Sequence, residues 1–271
     1  MLRRLAVGLL VAAALLWLGG AAVLYALQRS ILFPAPTPAR DVSLEDGELL
    51  RIPVPNGAPD AVAFHLPAQR AEAPTVVFFH GNGEQLADGL WLAEALRREE
   101  GVGFFGVEYP GYGLAAGEPG EEAILQAARA AVGHLVKERG VPKERLVLFG
   151  QSLGSGAATA LAHEGWGTRL ALATPFTSVT DAAAHHIPWL PVRRLVRDRF
   201  DSLSRAAEVR VPVFIVHGTQ DGVVPYAHGE RLSKAFPRAR LVTVEGGGHN
   251  DLYERAGVRE ALFAFLAGRE D

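Results

Sequence analysis

The sequence predicts a doubly wound α/β domain, a mostly parallel sheet with helices on both faces, preceded by one apolar N-terminal helix. Three observations carry this reading. From Thr75 onward, short β-rich apolar runs alternate with longer alanine- and leucine-rich stretches, and near-continuous apolar strands separated by helices belong to a parallel sheet covered on both sides. The 271 residues, 49% hydrophobic and 21% charged, have ordinary globular composition and enough length to bury one sizeable core. Residues 5 to 27 carry no charged side chain, which sets them apart from all that follows.

As a helix, this apolar segment would span roughly 35 Å at about 1.5 Å per residue, enough for a bilayer core. A cleaved signal peptide is the rival reading, because Gly20-Ala21-Ala22 offers small residues at a cleavage site. The apolar run continues another turn past that site, which favours a retained anchor over residues 1–28. Arg3 and Arg4 flank one end, Arg29 and Arg40 the other, so the positive-inside rule gives only a slight bias, toward a cytoplasmic N-terminus and an extracytoplasmic body. Pro34, Pro36 and Pro38 then enforce a stiff, extended exit.

Residues 29–271 read as the α/β domain. Residues 48 to 67 hold shorter apolar runs and several prolines, which suits antiparallel edge strands. The buried strands are TVVFF (75 to 79), GFFGVEY (103 to 109), RLVLFG (145 to 150), LALAT (170 to 174), VFIVHG (213 to 218) and ARLVTVEG (239 to 246). Helices fall near 85 to 99, 120 to 139, 153 to 163, 227 to 236 and 251 to 267. The stretch of about 176–207 breaks the alternation and reads as an insertion, a small lid over one end of the sheet.

The chemistry-bearing residues sit where strands end. Gly150-Gln151-Ser152-Leu153-Gly154 begins on the last residue of a buried strand and runs directly into a helix. Strand, sharp turn, helix is the setting of a nucleophile elbow, in which small flanking residues let backbone approach backbone. Taken alone, Ser152 could be no more than a small residue at a tight turn. Ser155 competes, but Ala157 stands where its second flanking glycine would fall. Ligands of open α/β sheets bind beyond the carboxyl ends of the strands, and there Asp221 follows VFIVHG and His249 follows ARLVTVEG. A lone Asp after a strand is often a helix cap and a lone His among glycines a loop residue. The chain order Ser, acid, His nevertheless suits a triad in which His249 is the general base and Asp221 holds its tautomer. His80-Gly81-Asn82-Gly83 follows an earlier strand, so the N–H groups of Asn82 and Leu153 are candidates for an oxyanion hole. The plainer reading is a glycine-rich turn. No Lys-Ser/Thr pair follows these glycines, which speaks against a phosphate-binding loop.

Other classes are disfavoured. A net charge of -3 gives no basic footprint for nucleic acid. With no cysteine there is no thiol nucleophile and no thiolate metal site. His185 and His186 are adjacent but lack a carboxylate motif at metal-ligand spacing, so neither metal nor cofactor is expected. In the lid, Ile187, Trp189 and Leu190 would form an apolar lip for an acyl chain or pack onto the sheet. Arg193, Arg194, Arg197 and Arg199 would meet anionic headgroups or form a solvated face. Nothing in the sequence speaks to oligomeric state.

The segments LQRSILFPAP, VVFFHGNG, VEYPGYGLAAGEP, FGQSLGSGAA, TPFTSVTDAA, RFDSL, PVFIVHGTQDGVVP and GGGHND together resemble the α/β-hydrolase superfamily, and within it the membrane-anchored, small-lid serine hydrolases of the ABHD type. The resemblance implies an eight-stranded, mostly parallel sheet, with Ser152, Asp221 and His249 at the triad positions and Asn82 and Leu153 at the oxyanion positions. Glu108 departs from the pattern, where Asp is more usual. LQRSILFP resembles a first strand following a retained anchor. The implied reaction is hydrolysis of a carboxylic ester or thioester of a small-molecule or lipid-like acyl substrate. A peptidase using the same triad, or a non-catalytic membrane-tethered scaffold, are the alternatives.

Overall fold

A computed structural model describes residues 2–269. The first element is a single helix, α1 (Leu2–Leu32), so the apolar segment and the six residues that follow Tyr25-Ala26 are continuous. LQRSILFP is therefore not a strand, contrary to the expectation drawn from the resemblance. Residues 27–32 extend a helix already nucleated, and each added residue gains a hydrogen bond; the Phe33 N–H still bonds the Arg29 carbonyl, at 2.8 Å.

The sheet contains eight strands: β1 (Glu48–Ile52), β2 (Ala61–Leu66), β3 (Thr75–Phe79), β4 (Gly103–Glu108), β5 (Leu146–Gln151), β6 (Arg169–Ala173), β7 (Val213–Gly218) and β8 (Ala239–Val244). Their spatial order is β1-β2-β4-β3-β5-β6-β7-β8. β1 and β2 pair antiparallel, and β2 pairs antiparallel with β4, while every pair from β4 to β8 is parallel. The predicted strands are in place to within one or two residues.

Alternation along each strand splits the core in two. Val77, Phe79, Leu148, Leu172 and Ile215 face one layer, with α3 (Glu121–Lys137), α4 (Leu153–His163) and α8 (Ala227–Ala235). Val76, Phe78, Phe149, Ala173 and Val216 face the other, with α2 (Leu90–Glu100) and α9 (Val258–Leu266). Adjacent residues of one strand thus supply opposite layers, the period of two that a sheet buried on both faces requires. The helix expected over 85 to 99 divides into a 3-10 turn, Leu86–Gly89, and α2; that over 251 to 267 divides into the turn Leu252–Glu254 and α9.

The stretch expected to form a lid comprises three short helices, α5 (Val179–His186), α6 (Val192–Leu195) and α7 (Ser202–Ala206). Asp198 ties it down: Oδ1 accepts from the Glu121 N–H at the start of α3, at 2.8 Å, and Oδ2 from Arg29 of α1, at 3.2 Å. Glu121 reciprocates, accepting from the Arg199 and Phe200 N–H groups at 2.8 and 2.9 Å.

Candidate active site

The turn between β5 and α4 is dictated by contact distances. A Cβ on Gly150 would lie 2.3 Å from the Gly154 carbonyl oxygen, and one on Gly154 would lie 2.0 Å from the Phe79 carbonyl oxygen. Both positions exclude any side chain. Ser152 between them has φ 48 and ψ -113, a conformation that costs a non-glycine residue about 1–3 kcal/mol and is sustained only by its surroundings. Its N–H donates to the Ala173 carbonyl at the end of β6, at 2.9 Å. The turn presents Ser152 Oγ above the carboxyl edge of the sheet. Ser155, one turn into α4, is fully buried and packs inside.

His249 and Asp221 converge on this serine from the two strands beyond. His249 Nε2 is 2.9 Å from Ser152 Oγ, and His249 Nδ1 is 2.7 Å from Asp221 Oδ2. Backbone contact sets the spacing: a Cβ on Gly218, the last residue of β7, would be 2.2 Å from the Gly247 carbonyl oxygen. The Asp221 side chain is wholly buried. Its Oδ1 accepts from the Val223 and Val224 N–H groups, each at 2.8 Å, and His217 Nε2 stands 3.3 Å from its Oδ2. Burial acts to raise the Asp221 carboxyl. Hydrogen bonds from His217 and His249, the charge of His249 and the Val224 N–H outweigh it and hold the carboxyl well below the usual range. An ionised Asp221 in turn fixes the proton of His249 on Nδ1, leaving Nε2 free to accept from the serine hydroxyl.

The loop after β3 is held at successive residues. His80, with no exposed surface, has Nε2 2.9 Å from Glu108 Oε1 and Nδ1 2.9 Å from the Gly81 carbonyl. Glu108 Oε2 accepts the Leu86 N–H at 3.0 Å, so the departure at Glu108 serves to brace this loop. The Gly81 N–H donates to Glu84 at 2.7 Å, Tyr109 OH to the His80 carbonyl at 2.6 Å, and Tyr112 OH to Asn82 Oδ1 at 2.9 Å. Burial pushes both phenols up, so they stay neutral donors. Leu153 is the first residue of α4, where a backbone N–H has no acceptor within the helix. Asn82, Ser152 and Leu153 share the wall of one cavity of about 340 Å³, otherwise lined mainly by apolar side chains including Phe176, Val179 and Val223.

Three members of this wall escape the sequence reading: Ile31, Leu32 and Phe33, at the end of α1 and just beyond it. Asn82 Nδ2 donates to the Leu32 carbonyl at 2.8 Å, which links the loop after β3 to the same helix. The helical spacing of Leu24, Gln28, Ile31 and Leu32, three or four residues apart on one face, is the signal that points to them. The candidate lid residues are divided. Ile187 and Leu190 line a small groove against α1, of about 90 Å³, and Trp189 projects outward, 60% exposed. Arg193 pairs with Asp181 at 2.8 Å, and Arg197 lies over the Tyr25 ring of α1 at 4.4 Å. His186 Nε2 meets the Val223 carbonyl at 2.8 Å. A second cavity, of about 420 Å³, is lined by His249 and by the polar groups of Glu84, Gln151 and Tyr253 among others, these three being linked by hydrogen bonds of 2.9 and 2.7 Å. Among the described residues, no cluster of three or more His, Asp or Glu side chains is arranged to hold a metal ion.

Two family models match, one described as serine aminopeptidase, S33, over residues 70–197, and one as TAP-like protein over residues 191–270. An uncharacterized protein of Mycobacterium tuberculosis is 34% identical over 244 residues, 88% of this chain and 86% of the relative. The human alpha/beta hydrolase domain-containing protein 17C is 31% identical over 196 residues, and the match spans 71% of this chain but only 58% of that protein's length. Among solved structures, an esterase of Pyrococcus furiosus superposes with a TM-score of 0.68 at 13% identity, covering 86% of this chain and 96% of the other. A monoacylglycerol lipase of Paleococcus ferrophilus gives 0.59 at 20% identity, covering 78% and 99%. With this sheet order and these relatives, the chain belongs to the α/β-hydrolase superfamily and is of the ABHD type.

Proposed function

We propose that the protein is a serine hydrolase that cleaves carboxylic esters or thioesters of acyl substrates. One observation carries the reading: Ser152 Oγ, His249 and Asp221 stand in a line of contacts of 2.9 and 2.7 Å, with Ser152 in the wall of an apolar cavity. Ser152 Oγ attacks the carbonyl carbon while its proton passes to His249 Nε2. The carbonyl oxygen, now an oxyanion, is stabilised by the N–H groups of Asn82 and Leu153. Collapse of the tetrahedral adduct expels the alcohol or thiol, which takes the proton from His249. Water then attacks the acyl carbon as it gives a proton to His249 Nε2, and collapse of the second adduct breaks the bond to Ser152 Oγ, which takes that proton back as the acid leaves. Asp221 stays ionised throughout, orients the imidazole and stabilises the imidazolium.

The description serine aminopeptidase, carried by one matching family model, favours a second reading, a peptidase on the same triad. An aminopeptidase must hold a cationic amine. Beyond Asn82 and His186 the Ser152 cavity is lined by apolar side chains and Ser152 itself, and an apolar wall matches an acyl chain better.

The same proposal assigns residues 1–28 to a membrane anchor and residues 29–271 to the hydrolase domain, its lid spanning about 176–207. α1 is long and apolar enough to cross a membrane, with 30 residues from Arg3 to Leu32 qualifying by length and hydropathy. The domain then lies on the extracytoplasmic side, and protease digestion of intact cells against permeabilised ones tests that orientation. Hydrolysis of nitrophenyl esters from acetate to palmitate, with Ser152→Ala beside the wild type, tests the chemistry. Activity abolished by the substitution supports the serine hydrolase; equal activity in the variant refutes it. A folded protein inert on every ester, and unlabelled by a fluorophosphonate, would instead be a membrane-tethered scaffold.

A further inference from the structure

The cavity at Ser152 shares part of its wall with a second space. Ile31, Leu32 and Ala183 line both that cavity and the groove between α1 and the lid, whose other walls include Leu24, Ile187 and Leu195. The two spaces therefore adjoin across these three residues, and the groove reaches Leu24 and Tyr25, one turn before Gln28. Polar groups in the groove are internally satisfied. Gln28, 8% exposed, donates from Nε2 to the Leu195 carbonyl at 3.3 Å and accepts the Arg197 N–H at 2.9 Å, so it latches helix to lid and leaves the groove apolar.

Depth follows from helix geometry. The apolar segment ends at Leu27, and Leu32 lies five residues on, or about 7.5 Å along the axis. The interfacial layer beyond the hydrocarbon core is itself about 5–7 Å on each side. With residues 5 to 27 filling the core, the serine cavity stands at the level of the interface and the groove points back into hydrocarbon. Exposed Trp189 and Arg193, on the lid beside α1, are residue types that settle at a membrane–water interface.

We propose that the groove between the last turns of α1 and the lid is a lateral portal, through which the acyl chain of a bilayer-resident carboxylic ester reaches Ser152. The chain remains in an apolar channel from bilayer to serine, so its methylenes are never exposed to water, and only the ester carbonyl rises to the interface. This rests on the serine hydrolase and anchor readings above, and it narrows the substrate to membrane lipid esters.

The test uses the full chain in phosphatidylcholine vesicles and a long-chain alkyl fluorophosphonate carrying a diazirine at the chain end. Ser152 Oγ displaces fluoride from phosphorus, and photolysis then marks whatever the chain end touches. Crosslinks on residues 24–31 of α1 and 187–196 of the lid are the expected result. Labelled Ser152 with crosslinks confined to the Phe176 and Val223 wall, or to lipid alone, would overturn the portal while leaving the hydrolase intact; no labelling at Ser152 would remove the hydrolase reading itself. As a second measurement, Leu24→Trp with Leu195→Trp narrows the groove. The ratio of the rate on a vesicle-embedded long-chain diacylglycerol to that on nitrophenyl acetate should fall at least tenfold. An unchanged ratio, or hydrolysis of an S-acylated vesicle-bound peptide in place of the lipid ester, refutes the assignment.

Discussion

Replacing Asp221 by Asn tests the proposed chemistry at the group least able to adapt. Its Oδ1 accepts two backbone N–H groups, from Val223 and Val224, at 2.8 Å each, so a carboxamide must keep its oxygen there. The NH2 then faces His249 Nδ1, where the carboxylate oxygen had been 2.7 Å away. An N–H can only donate, so His249 must present a bare Nδ1 and carry its proton on Nε2. That nitrogen then can no longer take the proton of Ser152 Oγ, 2.9 Å away. The loss expected for the wrong tautomer is about 10³ to 10⁴ in kcat, or roughly 4 to 5.5 kcal/mol of transition-state stabilisation. KM should change little, because no substrate contact is removed. The assay is nitrophenyl acetate hydrolysis on variant and wild type, with thermal unfolding to confirm that both are folded. A folded Asp221→Asn protein that keeps more than a tenth of the wild-type kcat would refute the role given to this carboxylate.

Other substitutions probe the frame around the site. Gly154→Ala places a Cβ 2.0 Å from the Phe79 carbonyl oxygen and should destabilise by about 3 kcal/mol or more through backbone displacement, read as a lowered Tm; an unchanged Tm would show that the turn yields. His65, on β2, has its pKa lowered to about 4 by burial and then by the charge of Arg139. Between pH 6.5 and about 4 the unfolded chain therefore binds the proton that the folded chain refuses. Stability is present above pH 6.5 and falls on acidification, by about 2 kcal/mol after screening. Urea unfolding at pH 7 and 4.5 should show a smaller acid loss for His65→Leu; an equal loss in both refutes the assignment. Finally, removing residues 1–22 should release the protein from membranes and spare nitrophenyl acetate hydrolysis. Removing residues 1–32 also takes the Leu32 carbonyl from Asn82 and a wall of the cavity, and should lower that activity at least tenfold. Equal rates for the two truncations would separate α1 from the site.

The sheet was legible because each strand carries its own instruction. TVVFF and VFIVHG each hold four consecutive apolar residues, at 76–79 and 213–216, and burial on both faces needs no information from elsewhere in the chain. The same holds for the turn at Ser152, where Gly150 and Gly154 are fixed by contacts within a few residues or with the neighbouring strand β3. Asp221 and His249 were legible for a related reason: parallel strands deliver their following loops to one edge, so position after a strand is position in space. His217 was less so. It lies inside a strand, where a histidine looks like any buried ring, and its approach to Asp221 depends on the turn that follows.

The lid and the end of α1 resisted for the opposite reason, since their partners lie far apart in sequence. Gln28 meets Leu195 across 167 residues and Arg29 meets Asp198 across 169, and neither residue type announces such a partner. Residues 27–32, apolar and polar by turns, suit an edge strand or one more turn and a half of helix equally well; continuity with the preceding helix decides. That choice has a consequence for function. A strand would have joined the sheet and left the Ser152 cavity bounded by the lid alone. A helix carries Ile31 and Leu32 into the wall of the cavity and the Leu32 carbonyl to Asn82, so movement of α1 relative to the lid reaches both the acyl space and the loop that would hold the oxyanion. If α1 is the proposed anchor, a force from the bilayer on it would be carried to the serine, and the dependence of the proposed ester hydrolysis on bilayer thickness, compared between full chain and the form lacking residues 1–22, measures it. A full chain whose rate is the same in thin and thick bilayers would show that α1 is a passive tether.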